Sequence, residues 1–278
     1  MRVWVDETVD RITALNPSNV LEIGCGTGQF LLRLAPRCAR YVGTDISPGG
    51  LDRLATRLTA DTTAELAVRP ADDFTGFTEG EFDTIILNSV VQYFDVDYLL
   101  RVLRGALALL APGGHLFVGD VRDLRLVEAF HCWVQAARLP DATPAADLRR
   151  LVDQQIAQEE ELLLHPALFE TIAPAERVTL LAKSSPHRNE LTRFRYDVVI
   201  TAPGGPDTPR HASTPGTPGR PAHPSGPART GCGARPTPAW PRTWPGCGCC
   251  ARAARTPWAR CAAPSPPRTR SPPANPRT

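Results

Sequence analysis

The sequence predicts an α/β fold, with a mostly parallel sheet, helices on both faces and a C-terminal antiparallel hairpin. Three observations carry that expectation. Apolar strand-like runs alternate with helical stripes from residue 3 to about residue 137, the pattern of a parallel sheet covered by crossover helices. A glycine-rich loop opens directly after the first of those runs. Two later strand-like runs, residues 178–182 and 194–201, are joined by a segment with no helical stripe, so they can only pair antiparallel.

Each element has its own signal. Val5, Val9 and Ile12 share one face of an opening helix, which Asn16-Pro17-Ser18-Asn19 breaks. Residues 20–24 read as a buried strand, 29–34 as a helix and 41–45 as a second strand. Ser47 suits an N-cap with Pro48 in the first helical position, and Leu51, Leu54, Ala55 and Leu58 form the stripe that follows. Residues 66–68 are a weak third strand and 82–87 a strong fourth. Residues 97–110 form an amphipathic helix ended by Ala111-Pro112-Gly113-Gly114, and 115–121 a fifth strand. Residues 124–137 and 147–164 read as two more helices before the closing hairpin.

Composition divides the chain. Residues 202–278 hold no Ile, Leu, Val, Met, Phe or Tyr, yet contain 19 of the 29 prolines and 5 of the 8 cysteines. Such a stretch cannot bury enough apolar surface to offset the entropy of ordering. It is therefore expected to be a disordered tail behind a domain of residues 1–201. The tail's eleven Arg face one acid, Asp207, so the net charge of +2 averages a basic tail and an acidic domain. Those Arg are scattered among Pro without aromatic platforms, and no nucleic-acid partner is expected. Cys247, Cys249, Cys250 and Cys261 lack paired C-x2-C spacing, and no metal site is expected. Cys25, Cys38 and Cys132 give the domain no disulfide framework. Asp6, Glu7 and Asp10 interrupt any signal peptide, and no run reaches the roughly 18 apolar residues of a membrane span, so a cytoplasmic protein without a membrane partner is expected.

The sharpest chemical signal is Glu22-Ile23-Gly24-Cys25-Gly26-Thr27-Gly28, set between a strand and a helix. The dinucleotide fingerprint G-x-G-x-x-G would require glycine at 29, where Gln29 stands. The spacing is instead G-x-G-x-G, led by an acid that suits a cationic ligand better than a pyrophosphate. S-adenosyl-L-methionine, with its sulfonium and ammonium, is such a ligand. Asp45 ends the second strand, with Ile46 after it, where a carboxylate can accept both ribose hydroxyls; a helix cap is the competing reading. Asp72 and Asp73 follow the third strand, where one could take the adenine amine with Phe74 beside the ring; an ordinary solvated loop is the alternative. Cys25 is expected to be a small side chain rather than a nucleophile.

Residues 20–28, 41–45, 83–88 and Pro112-Gly113-Gly114 resemble the Rossmann-like class I methyltransferases. Longer strings, residues 88–94 (NSVVQYF), 118–122 (VGDVR), 129–131 (AFH) and 189–199 (NELTRFRYDVV), are similar to the methyltransferase domains embedded in nonribosomal peptide synthetases. The resemblance runs from about Arg2 to Ile200. It implies S-adenosyl-L-methionine as cofactor and N-methylation of an aminoacyl group held as a thioester on a carrier protein. No adenylation sequence flanks the domain. Two alternatives therefore stay open: a free-standing O- or N-methyltransferase of a small-molecule acceptor, and a non-catalytic fragment of a broken synthetase.

Within such a fold, Glu22, Gly24, Cys25, Gly26, Gly28, Asp45, Ile46, Asp72, Asp73 and Asn88 are the expected cofactor residues. Gln92 and Tyr93, one turn past Asn88, are expected to orient the acceptor. His131, beyond the fifth strand, is the best placed neutral base by sequence order, although a histidine between Phe130 and Trp133 equally suits a packed core. Glu159-Glu160-Glu161 reads as a solvated helix face. Arg193 and Arg195 are expected to face solvent or a carrier's phosphopantetheine arm.

Overall fold

The computed structural model describes residues 2–59, 62, 64–173, 176–183 and 189–204. The expected tail therefore lies outside the described residues, except for its first three. Eight helices, α1 (Arg2–Thr13), α2 (Leu31–Leu34), α3 (Pro48–Ala55), α4 (Val96–Ala108), α5 (Val127–Ala136), α6 (Ala145–Ala157), α7 (Ala167–Ile172) and α8 (Glu190–Arg193), accompany seven strands among these residues. The strands are β1 (Asn19–Ile23), β2 (Arg40–Asp45), β3 (Ala64–Val68), β4 (Phe82–Asn88), β5 (Leu110–Arg122), β6 (Arg177–Ala182) and β7 (Arg195–Thr201).

They form one sheet in the order β3-β2-β1-β4-β5-β7-β6. Only β7 runs against the rest, antiparallel to both β5 and β6. The expected hairpin is present, with one refinement: its later strand lies inside and its earlier strand forms the edge. Apolar patterning explains the choice. In β7, Val198 and Ile200 are fully buried on one face and Val199 on the other, as an interior strand requires, whereas Leu180 of β6 is exposed.

The two faces bury separate cores. Val20, Ile86, Phe117 and Val199 turn toward α1, α2 and α3, where Val5, Ile12, Leu31 and Leu54 meet them. Leu21, Ile85, Leu87, Leu116 and Val118 turn toward α4 and α7, onto Leu99, Val102, Leu103 and Phe169. Each such fully buried side chain contributes about 1.5–3 kcal/mol relative to exposure.

Three expectations need correction. The helix expected over 147–164 ends at Ala157, and the chain then runs back to the sheet, where the Leu164 N–H donates to the Arg122 carbonyl at 3.0 Å. Its acidic run is drawn off the helix by Arg122, as described below. The Pro112-Gly113-Gly114 segment sits inside β5 rather than before it, because Phe82 already pairs with Leu110. The helix expected from residue 29 starts only at Leu31, since the glycine loop closes on itself through Gly28 N–H to Cys25 carbonyl at 2.8 Å. No helix among the described residues is long and apolar enough to cross a membrane.

Candidate active site

Adjacent β1 and β4 part their connections to opposite sides of the sheet, and the crevice at their C-terminal ends is where open α/β sheets bind ligands. The glycine loop leaves β1 there. Gly24, Gly26 and Gly28 all have positive φ, at 75°, 52° and 74°. Space distinguishes them. A Cβ on Gly24 would meet Val90 at 2.5 Å and one on Gly28 would meet Leu54 at 2.3 Å, so both glycines are packed. A Cβ on Gly26 would meet nothing within 4 Å, so the loop presents its bare backbone on that side.

Asp45, at the end of β2, braces this loop. One carboxylate oxygen accepts from Gly26 N–H and the other from Ser47 N–H, both at 2.9 Å. The cap of α3 is Ser47, whose hydroxyl accepts from Gly50 N–H, so the competing helix-cap reading belongs to Ser47 rather than to Asp45. Ile46 beside it is 74% exposed, an apolar side chain left in the open at the sheet's ligand edge.

Glu22 is not open to the crevice. Its carboxyl is buried and accepts from the Tyr41 hydroxyl at 2.7 Å. Burial pushes its pKa up to about 8, against the opposing hydrogen bonds of Tyr41 and the Leu31 backbone. Its position ties β1 to β2 and to the start of α2. Cys25 is buried, and burial together with the Glu22 and Asp45 carboxylates raises its thiol far above the reactive range.

After β3, Asp72 accepts from Arg101 Nε at 3.4 Å, while Asp73 closes a turn onto Thr75 N–H at 3.0 Å. That bonding holds the Asp73 carboxyl below the usual carboxylate range. Phe74 packs against α4 at Gly105, where an added Cβ would lie 2.0 Å from its ring.

The end of β4 carries Asn88, buried and in register with Gly119 of β5. Its Nδ2 donates to Ser89 Oγ at 3.0 Å, and its Oδ1 is buried without a hydrogen-bond partner. The following 3₁₀ turn, Val91–Tyr93, buries Gln92, whose Oε1 also lacks a partner, and leaves Tyr93 74% exposed. The Gln92 carbonyl accepts from Leu162 N–H at 2.8 Å.

That contact joins Gln92 to a second cluster. Arg122 grips Glu159 with two hydrogen bonds of 2.8 Å and Glu161 with one of 3.0 Å. His131 Nε2 lies 3.1 Å from Glu159, and the Phe130 ring lies under the Arg122 guanidinium and meets Phe194 edge-on. Residues 159–162 thus connect the turn bearing Gln92 and Tyr93 to the helix bearing His131. The acidic run is a structural clamp, not the solvated helix face expected. His131 is buried, as the core reading anticipated, and is oriented by a carboxylate, as a base would need.

The charged groups that sequence reasoning missed lie at the β5–β7 seam. Asp120 accepts from Ser89 Oγ at 2.9 Å and from Arg195 at 2.8 Å. Asp197 accepts from the Asp120 N–H, from Lys183 and from Arg11. Arg195 also reaches Glu190, so it does not face solvent as expected, while Arg193 stacks over Trp133 and Phe194. An acid inside the apolar run LFVGDV, and another in YDVVI, were the available signals, because a charged residue in a buried strand must be paired.

Comparison with known proteins agrees with this geometry. Residues 21–116 match the model of a methyltransferase domain family. The chondramide synthase of Chondromyces crocatus is 46% identical over 222 residues, covering 77% of this chain. The beauvericin nonribosomal cyclodepsipeptide synthetase of Beauveria bassiana is 33% identical over 211 residues, covering 72% of it. The chain spans only 6% and 7% of the length of those two synthetases. Among solved structures, magnesium protoporphyrin IX methyltransferase from Synechocystis PCC 6803 with bound SAH superposes with a TM-score of 0.51 at 15% identity, covering 71% of this chain and 81% of that one, and shows the shared fold. With its sheet order, its G-x-G-x-G loop and these matches, the chain carries a class I, S-adenosyl-L-methionine-dependent methyltransferase domain.

Proposed function

We propose that this domain methylates the amino group of an aminoacyl unit carried as a thioester on a carrier protein. The observation that carries the reading is the identity to the chondramide synthase, 46% over 222 residues, together with that to the beauvericin nonribosomal cyclodepsipeptide synthetase, 33% over 211 residues. The residues at the sheet's edge fit the cofactor. Asp45 spends one acceptor site of each oxygen on Gly26 and Ser47, and a carboxylate offers about four, so two remain for ribose hydroxyls. Gly26 leaves room for close approach, and Ile46 offers an apolar flank. Asp72 and Asp73, in the loop after β3, are the carboxylates we assign to the adenine amine, and Gly24 and Gly28 hold the loop's curve.

When bound, S-adenosyl-L-methionine supplies a methyl carbon activated by a sulfonium. The chain's task is to hold an amine lone pair in line with that carbon and to keep water out. Gln92, buried with a free carbonyl oxygen, orients the amine through an N–H, and Tyr93 at the mouth contacts the arm that brings it. An aminoacyl ammonium must first give up a proton, and His131, aligned by Glu159, takes it. A carrier substrate adds binding energy remote from the amine, which positions the reacting atoms.

Mass spectrometry of an aminoacyl-loaded carrier incubated with enzyme and cofactor tests the reading. A mass gain of one methyl on the carrier, with free amino acid untouched, is the expected result. Methylation of free amino acids or phenols alone would replace it with a small-molecule methyltransferase. His131→Gln should lower turnover of the loaded carrier while cofactor affinity is kept.

A further inference from the structure

Two neighbouring residues at this sheet edge, neither of them glycine, adopt left-handed backbone conformations: Ser89 at φ 57° and Asp120 at φ 63°. Such outliers persist where the surrounding structure enforces them, and they concentrate at functional sites. Here they are bonded to each other. Asp120 also sits where the β5–β7 register shifts, between Val118 and Val121, so the irregularity aims its carboxylate back at the end of β4.

The bonds form a chain with a fixed direction. The Asp120 carboxylate accepts from Arg195 and offers only lone pairs, so the single Ser89 hydroxyl proton must point toward it. Ser89 Oγ then has only lone pairs left for its other neighbour, Asn88, and only the amide NH₂ can meet them. A flipped amide would set two oxygens' lone pairs against each other. The Asn88 carbonyl oxygen is thereby forced to the opposite side, over Gly119, where a Cβ would lie 2.0 Å from it and where it has no partner. Asn88 follows Leu87, the register partner of Ile23, so it stands beside the first glycine of the loop.

We propose that Ser89, Asp120 and Arg195 are positioning residues that lock Asn88 with its carbonyl oxygen presented to an N–H of a bound ligand's amino nitrogen. This rests on the methyltransferase reading, under which two ligand nitrogens share that chemistry: the cofactor's α-amino group and the acceptor amine.

Ser89→Gly is the informative variant, because glycine accepts the positive φ while the short side chain and its hydroxyl are removed, so the melting temperature should hold. Calorimetry with S-adenosylhomocysteine and with methylthioadenosine, which lacks the amino-acid group, is read beside turnover. Loss of an oriented hydrogen bond predicts a roughly tenfold effect. If the nitrogen is the cofactor's, S-adenosylhomocysteine weakens by that factor and methylthioadenosine does not. If it is the acceptor's, both nucleosides bind as before and kcat/KM for the acceptor falls. Either result supports the lock, provided that the same Ser89 change costs under about twofold in an Asn88→Ala background, since a residue acting only through Asn88 loses its effect there. Ser89→Ala must follow the same pattern. An undiminished Ser89 effect without Asn88, equal losses for both nucleosides, or wild-type behaviour in every assay would overturn the proposal. A wild-type chain that binds neither nucleoside would overturn the methyltransferase reading itself, and the lock with it.

Discussion

Gly28→Ala should damage the protein far more than Gly26→Ala, although both residues belong to one loop and both have positive φ. The backbone term is common to the two: a left-handed conformation costs an L-residue roughly 1–2 kcal/mol. Only Gly28 adds a collision. Its new Cβ would lie 2.3 Å and 3.0 Å from the two Leu54 methyls, and Leu54 is 1% exposed, with no solvent to swing into. Overpacking of that kind costs about 1–3 kcal/mol more. Urea denaturation should therefore show a loss of about 2–5 kcal/mol for Gly28→Ala against about 1–2 kcal/mol for Gly26→Ala. A double mutant isolates the packing term. Leu54→Ala alone opens a cavity costing about 2–5 kcal/mol, but the added Cβ at 28 partly fills it, so the double variant should fall short of the summed losses by about 1–3 kcal/mol. The functional order is reversed relative to stability: Gly26→Ala, stable enough to study, should lose cofactor affinity because its methyl enters the open side of the loop. Additive losses at 28 and 54, or a Gly26→Ala protein that binds S-adenosylhomocysteine as well as wild type, would refute this reasoning.

Glu22→Gln should stabilise the protein increasingly as pH rises. The buried acid keeps its proton up to about pH 8 when folded but ionises near 4.5 when unfolded, so wild-type stability falls across that interval, and the glutamine variant, free of that slope, pulls ahead until the gap levels near pH 8. Melting curves at pH 5 and pH 8 with equal differences between the two proteins would contradict the burial argument. Arg122→Met should cost about 3–5 kcal/mol in denaturant titrations, because it leaves Glu159 and Glu161 without their mostly buried cation, and Glu159→Gln in the same background should recover part of that. Ending the chain at Thr208 should leave the melting temperature and cofactor affinity unchanged, since β7 is finished at Thr201 and Gly113 and Gly114 already bond the exit at Pro203 and Ala202; a drop of several degrees would count against the domain boundary proposed near residue 201.

The parallel half of the sheet was legible because its signals are local. A buried parallel strand announces itself as an apolar run, as residues 82–88 do, and a glycine loop announces its backbone by composition. The spacing of that loop separated it from a dinucleotide site, and Asp45 ends the second strand as expected, while its bonds to the Gly26 and Ser47 N–H groups were not legible. The packing partner of Phe74 was not legible, because its contact with Gly105 joins residues 31 apart in sequence.

The acceptor side resisted sequence reasoning because its order is built from pairings between distant segments. Glu159, Glu160 and Glu161 continue a helical pattern as written, and helix propensity alone would keep them in α6. Glu159 and Glu161 instead meet Arg122 at the end of β5, whose mostly buried guanidinium makes charge-assisted hydrogen bonds to both carboxylates beyond the end of α6. The same holds for Asp120 and Asp197. Each is an isolated acid in an apolar strand, and neither names its partner; only the insertion of β7 between β5 and β6 brings Arg195 and Lys183 to them. That insertion also brings Glu190 onto Arg195 and the Phe194 ring up to Phe130 in the cluster around Arg122. One topological feature, the antiparallel β7, therefore organises both the seam that aligns Asn88 and the clamp that aligns His131. A candidate cofactor crevice can be read from one loop and one strand end, whereas the surface proposed to meet the acceptor exists only after the last strand has docked.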